Sequence, residues 1–186
     1  MQHRISPLLL LLFILSLGMV PGAHPALAHV SSDDMPDSVA EVEYSIFLEF
    51  QPNDKVVRNK LGMVYYRLNK MEEAVREFSR VLKLDPKDYD ALDGMGLVKA
   101  AQQDYDAAIS YHRQAISLNA DDMMGYFHLG NALEKKNMRR EAAEAYHTSQ
   151  AKFDAQYPPG SGNKKTAEFG ETLKKAIRRI DEVSTK

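Results

Sequence analysis

The 186-residue sequence contains no cysteine. That excludes a disulfide, a thiolate metal site and a lipid attached through a cleavage-site cysteine, so any folded body must be held by packing. The apolar run Leu8 to Leu15 is shorter than the ~20 residues of a spanning helix, and Pro21 interrupts any extension of it. Charge of one sign is also missing. The formal net charge is −2, or −3 without Arg4, and there is no long basic run, which argues against nucleic-acid binding by bulk electrostatics. No Gly-rich phosphate loop, Gly-x-Ser-x-Gly elbow or His-Glu-x-x-His helix occurs, so the chain reads as non-enzymatic, with no catalytic residue and no cofactor.

What is present begins with an export signal. His3 and Arg4 precede the apolar run, Pro21-Gly22 breaks it, and Ala26-Leu27-Ala28 supplies a small-x-small cleavage site. Residues 1–28 are therefore expected to be removed after Ala28, giving a periplasmic protein that makes no membrane contact once cleaved. An uncleaved anchor is the other reading of the same segment. Residues 29–36 read as a disordered linker.

The folded part repeats itself. A shift of 34 residues superposes Gly62, Gly96 and Gly130, then Ala74, Ala108 and Ala142, then Phe78, His112 and Tyr146. A mid-helix glycine costs about 1 kcal/mol against alanine, so three at equal spacing require a packing gain. Facing helices of a hairpin supply it, with Gly62 and Ala74 letting the backbones approach while Phe78 and its neighbours fill the flanks. Asn69, Gln103 and Asn137 fall at the turns, where a left-handed conformation is needed. Pro86 stops the second helix of the first unit.

The period and these positions resemble the tetratricopeptide repeat, in which each unit is an antiparallel helix pair. The fold class implied is all-α, an α-solenoid with repeats at 55–88, 89–122 and 123–156. Subtracting 34 from Ala74 and Phe78 reaches Ala40 and Tyr44, which predicts a half-repeat helix within 37–54, from about Asp37 to Phe50. After a loop, Phe169, Leu173, Ala176, Ile177, Ile180 and Val183 mark one face of a capping helix within 157–186. Lys174, Lys175, Arg178 and Arg179 read as its solvated face.

The resemblance also implies a function. Proteins of that family hold peptides or partner helices in a concave groove lined by the first helix of each unit. Carried onto this frame, the groove comprises Val56, Asn59, Met63, Tyr66 and Arg67; Asp90, Asp93, Leu97 and Ala100; and Met124, Phe127, Asn131, Glu134 and Lys135. The carboxylate clamp of some members does not carry over, because Met63, Asp90 and Asp93 stand on the corresponding face. Tyr66 and Phe127 read as aromatic anchors, and the two aspartates as exposed acids suited to an apolar segment with a basic residue. The expectation is an interaction adaptor for an exported complex, with self-association through the terminal helices as a further contact.

Two alternatives stand beside it. One is copper binding or metal delivery through His29, which cleavage would expose, although a brace needs a second histidine and none lies nearby. The other is an accessory subunit of a periplasmic enzyme. His112 reads as a packing histidine and no metal site is expected, since the histidines of the folded part are scattered and His128 and His147 occupy different offsets.

Overall fold

An aspartate opens the first helix of every repeat. Asp54, Asp88 and Asp122, 34 residues apart, each accept a hydrogen bond from a backbone N–H in the helix that follows, which satisfies an otherwise orphaned donor. The computed structural model describes residues 35–158 and 160–184, so the expected signal peptide, its expected cleavage site and residues 29–34 of the expected linker lie outside it. Its helices are α1 (Asp37–Phe50), α2 (Lys55–Arg67), α3 (Met71–Leu84), α4 (Tyr89–Ala101), α5 (Tyr105–Leu118), α6 (Met123–Lys135), α7 (Arg139–Gln156) and α8 (Lys164–Ser184). No strand occurs among the described residues, and the fold is an all-α solenoid. None of these helices is long and apolar enough to cross a membrane.

The hairpin turns share one mechanism. Asn69, Gln103 and Asn137 have φ of 59°, 64° and 65°, the left-handed region. That conformation reverses the chain within two residues. It lets Lys70, Asp104 and Met138 donate their backbone N–H back to Tyr65, Lys99 and Leu133, at 2.8, 2.9 and 2.9 Å.

The repeated glycines do something more specific than bring two backbones together. A Cβ on Gly62 would stand 2.6 Å from the Phe78 ring, one on Gly96 2.4 Å from the His112 ring, and one on Gly130 2.6 Å from the Tyr146 ring. The aromatic side chain of the second helix lies on the glycine of the first, instead of filling its flank. Phe78 is clamped from the next repeat as well, where a Cβ on Gly94 would approach it to 2.4 Å. Phe78, His112 and Tyr146 are all wholly buried.

Neighbouring repeats are joined by helix packing and by polar stitches. The N-cap aspartates serve twice: Asp88 Oδ1 accepts from Asn59 Nδ2 at 2.8 Å, and Asp122 accepts from the Tyr89 hydroxyl. Lys55 reaches Asp85 at 2.6 Å. The first helices α2, α4 and α6 touch their successors, whereas α3, α5 and α7 do not approach one another comparably. Elements on the inside of an arc are the closer ones, so α2, α4 and α6 line the inner face.

The two ends differ. Helix α1 packs on α2 through Ala40 and Leu48 and is tied by Asp37 to Arg67 and by Glu41 to Lys70. Its other face leaves Val39, Val42, Ile46 and Phe50 41–67% exposed. Helix α8 buries Leu173, Ala176 and Ile180 in a core shared with α7, and its Gly170 sits beneath the Phe153 ring. Of Lys174, Lys175, Arg178 and Arg179, the last is not merely solvated: its guanidinium grips the Glu134 carboxylate of α6 at 2.7 and 2.6 Å.

Candidate functional site

The inner face is built from α2, α4 and α6, and its candidate residues divide into those open to a partner and those already engaged. Val56 is 63% exposed, Asp90 and Lys135 are exposed, and Met63, Tyr66, Leu97, Ala100 and Met124 are half-buried. The remaining residues are committed within the chain.

Five of the candidates change character for this reason. Asn59 is buried against Asp88, and Arg67 is forked onto Asp37 of α1. Phe127 meets Phe169 of α8 edge-on, ring centroids 5.3 Å apart, and touches His128 and Tyr146. It is an internal contact of the third repeat with the cap rather than an open anchor. Asn131 Oδ1 and Glu134 Oε2 each lie 2.8 Å from the Tyr146 hydroxyl, which donates to the carboxylate. Arg179, with Tyr146 adding to it against the opposing effect of burial, holds the Glu134 carboxyl below its ordinary range. Burial and Glu134 push the Tyr146 hydroxyl up.

Asp93 departs furthest from expectation. Its side chain is only 14% exposed, and two imidazoles donate to it: His112 Nδ1 to Oδ1 at 2.7 Å, and His128 Nδ1 to Oδ2 at 2.9 Å. Burial alone would raise this carboxyl. The hydrogen bonds from His112 and His128 outweigh burial and hold it well below the usual carboxylate range. The two rings are tilted by 44° with centroids 5.6 Å apart. Asp93 belongs to α4, His112 to α5 and His128 to α6, so one carboxylate links both helices of the second repeat to the first helix of the third. His147 takes no part; its Nε2 lies 3.4 Å from Asp181. His29 lies outside the described residues.

His112 and His128 were not evident as a pair from the repeat frame, but a signal was present. Asp93 and His112 are separated by 19 residues, the separation of Arg58 and Glu77, which form a buried ion pair across the first hairpin. A polar residue placed where Phe78 and Tyr146 stand in the sister repeats needs a polar partner on the facing helix, and the 19-residue offset finds it.

Helix pairs stacked in this way, with one face lined by their first helices, define an α-helical repeat protein. Residues 59–122 match the tetratricopeptide repeat family. It is 31% identical over 107 residues to the peroxisomal targeting signal receptor of Eremothecium gossypii, a match covering 58% of this chain and 17% of that receptor. The chain thus spans about a sixth of that relative. Among solved structures it resembles the Yersinia enterocolitica type III secretion chaperone SycD in complex with a peptide of the translocator YopD. That match has 20% identity and a TM-score of 0.59, covering 68% of this chain and 92% of that one. It also resembles MamA from Desulfovibrio magneticus RS-1, at 17% identity and a TM-score of 0.56, covering 80% and 86% respectively.

Proposed function

We propose that the protein is a non-catalytic adaptor that binds an extended or helical segment of a partner protein along its inner face. The observation that carries this reading is the uneven occupancy of that face. Along α2 and α4, Val56 and Asp90 are exposed and Met63, Tyr66 and Leu97 half-exposed, while in the third repeat Phe169 and Arg179 of α8 cover Phe127 and Glu134 and leave only Met124 and Lys135 of the candidates open. The binding segment of the face is therefore its N-terminal half. Apolar side chains beside Asp90 favour an apolar partner segment carrying a basic residue. The SycD structure contains a translocator peptide, which supports peptide binding by this kind of scaffold. We further propose export to the periplasm, on the signal-like residues 1–28, with service in an exported complex. Protein secreted by its own cell and sequenced from its N-terminus should begin at His29; retention of Leu8 to Leu15 favours an anchored form.

Site-specific photo-crosslinking tests the adaptor reading. A photoreactive residue at Val56 or Asp90 should yield a discrete protein adduct in cells, whereas the exposed outer positions Arg76 and Gln114 should not. Adducts arising equally or only from the outer positions would remove the inner face as the binding surface.

A further inference from the structure

We propose that Asp93, His112 and His128 form a binding site for a borderline divalent transition metal such as Zn²⁺. Each offers one ligand atom, and these atoms all lie within 4.8 Å of one another. Both imidazoles already aim Nδ1 at the same carboxylate, at 2.7 and 2.9 Å, so the donors converge without rearrangement of the helices. Two imidazole nitrogens and one carboxylate oxygen suit Zn²⁺, Cu²⁺ or Ni²⁺, and are a poor set for Ca²⁺ or Mg²⁺, which take oxygen ligands.

The surroundings favour capture. His112 is wholly buried, fixed between the Gly96 backbone and the Asp93 carboxylate, so one ligand is rigid. Asp93 and His128 keep 14% and 15% of their side chains exposed, which leaves the site accessible from one side. Three protein ligands with one open side leave a fourth position for water or for a side chain of a bound partner.

The hydrogen-bond inventory does not oppose capture. His112 Nε2 is buried with no hydrogen-bond partner. With Nδ1–H donating to Asp93, Nε2 is an unsatisfied acceptor; with Nδ1 on a metal, the ring proton moves to Nε2, which becomes an unsatisfied donor. The orphan exists in either tautomer, and coordination exchanges the two Nδ1–H bonds to Asp93 for bonds to the metal. Nothing in the repeat demands histidine at this position, since phenylalanine and tyrosine fill it in the sister units. Metal binding gives the substitution a purpose.

A bound ion would join α4, α5 and α6, the junction of the second and third repeats. Its effect is therefore readable as stability as well as binding. The test is calorimetric titration of the full-length protein with Zn²⁺, with thermal melts and Co²⁺ absorption in parallel. The parent should bind one ion that raises the melting midpoint by roughly 5–10 °C at about 100-fold excess over Kd, and Co²⁺ should give the intense visible bands of a low-coordinate site.

His112→Phe installs the residue found at the same place in the first repeat and is expected to fold. It should lose Zn²⁺ affinity by more than the ~10–100-fold typical of removing a mere outer-shell partner, and lose the Co²⁺ bands. His128→Gln, altered at the more exposed edge, must do the same and decides the matter if His112→Phe does not fold. His147 and the histidines of residues 1–34 are unchanged in both variants, so weak binding by those groups cancels. A parent that binds Zn²⁺ no more tightly than His128→Gln, or whose midpoint is unmoved by Zn²⁺, would overturn the assignment.

Discussion

The imidazole of His112 lies flat against Gly96, so close that a Cβ on the glycine would stand 2.4 Å from Cε1 and 2.6 Å from Nδ1 of the ring. Real Cβ contacts of that length do not occur, and the ring cannot retreat, because Asp93 holds it from the side. Gly96→Leu should therefore overpack the hairpin by ~1–3 kcal/mol and lower the thermal midpoint by several degrees, despite leucine's better helix propensity. A melt followed by circular dichroism checks it. An unchanged midpoint would mean that the ring has room to move.

The buried ion pair Arg58–Glu77 supplies a second prediction from within the chain itself. Arg58 also donates to the Pro52 carbonyl, Nε at 2.8 Å, and both charged side chains are about 10% exposed or less. Removing Arg58 leaves Glu77 only the more exposed Arg80, 2.8 Å from its other carboxylate oxygen, so Arg58→Leu alone should cost up to about 3 kcal/mol. The second repeat carries Leu92 and Tyr111 at the matching positions. The double change Arg58→Leu with Glu77→Tyr should recover most of that loss, and denaturant titration of the four-member cycle measures the coupling.

Acid should loosen the Asp93 cluster. Because its folded-state carboxyl is held below the ordinary value of about 3.9, the unfolded chain takes up that proton at higher pH than the native one. The stabilisation is present above pH ~4 and is lost as pH falls below it. Asp93→Asn should accordingly be less stable than the parent at pH 5 to 7, with the gap narrowing toward pH ~2. Urea midpoints across that series test the sign; a gap that is constant with pH would show that the carboxylate's charge is irrelevant.

Gln103 is the least suitable of the three left-handed turn residues, since its longer side chain lacks asparagine's local hydrogen bonding. With φ of 64°, Gln103→Gly should raise the midpoint by a few degrees, worth about 1 kcal/mol. The neighbouring Gln102, with φ of −77°, provides the control: Gln102→Gly should destabilise.

The fold was readable because its determinants are local and periodic. Phe78, His112 and Tyr146 recur with their glycines at one spacing, and subtracting that spacing reached α1 at Asp37–Phe50. The site was less readable because its contacts break the period. Phe127 is closed off by Phe169, which lies beyond a loop that shifts the register of α8. Asp93 and His128 are 35 residues apart, one more than the repeat, so a comparison of equivalent positions pairs Asp93 with Phe127 and passes over its partner. Asp93 and Glu134 were legible as inner-face residues, but not that the chain itself neutralises them.

The contact pattern of the helices also gives the array a one-sided elasticity. The inner helices α2, α4 and α6 already touch, so tighter curling is stopped by atomic repulsion. The outer helices stand further apart, so straightening meets no such stop between them and works only against the packing of each outer helix on the inner helix that follows it. The array is thus stiffer against closing than against opening, so it widens for a thicker segment more readily than it tightens around a thinner one.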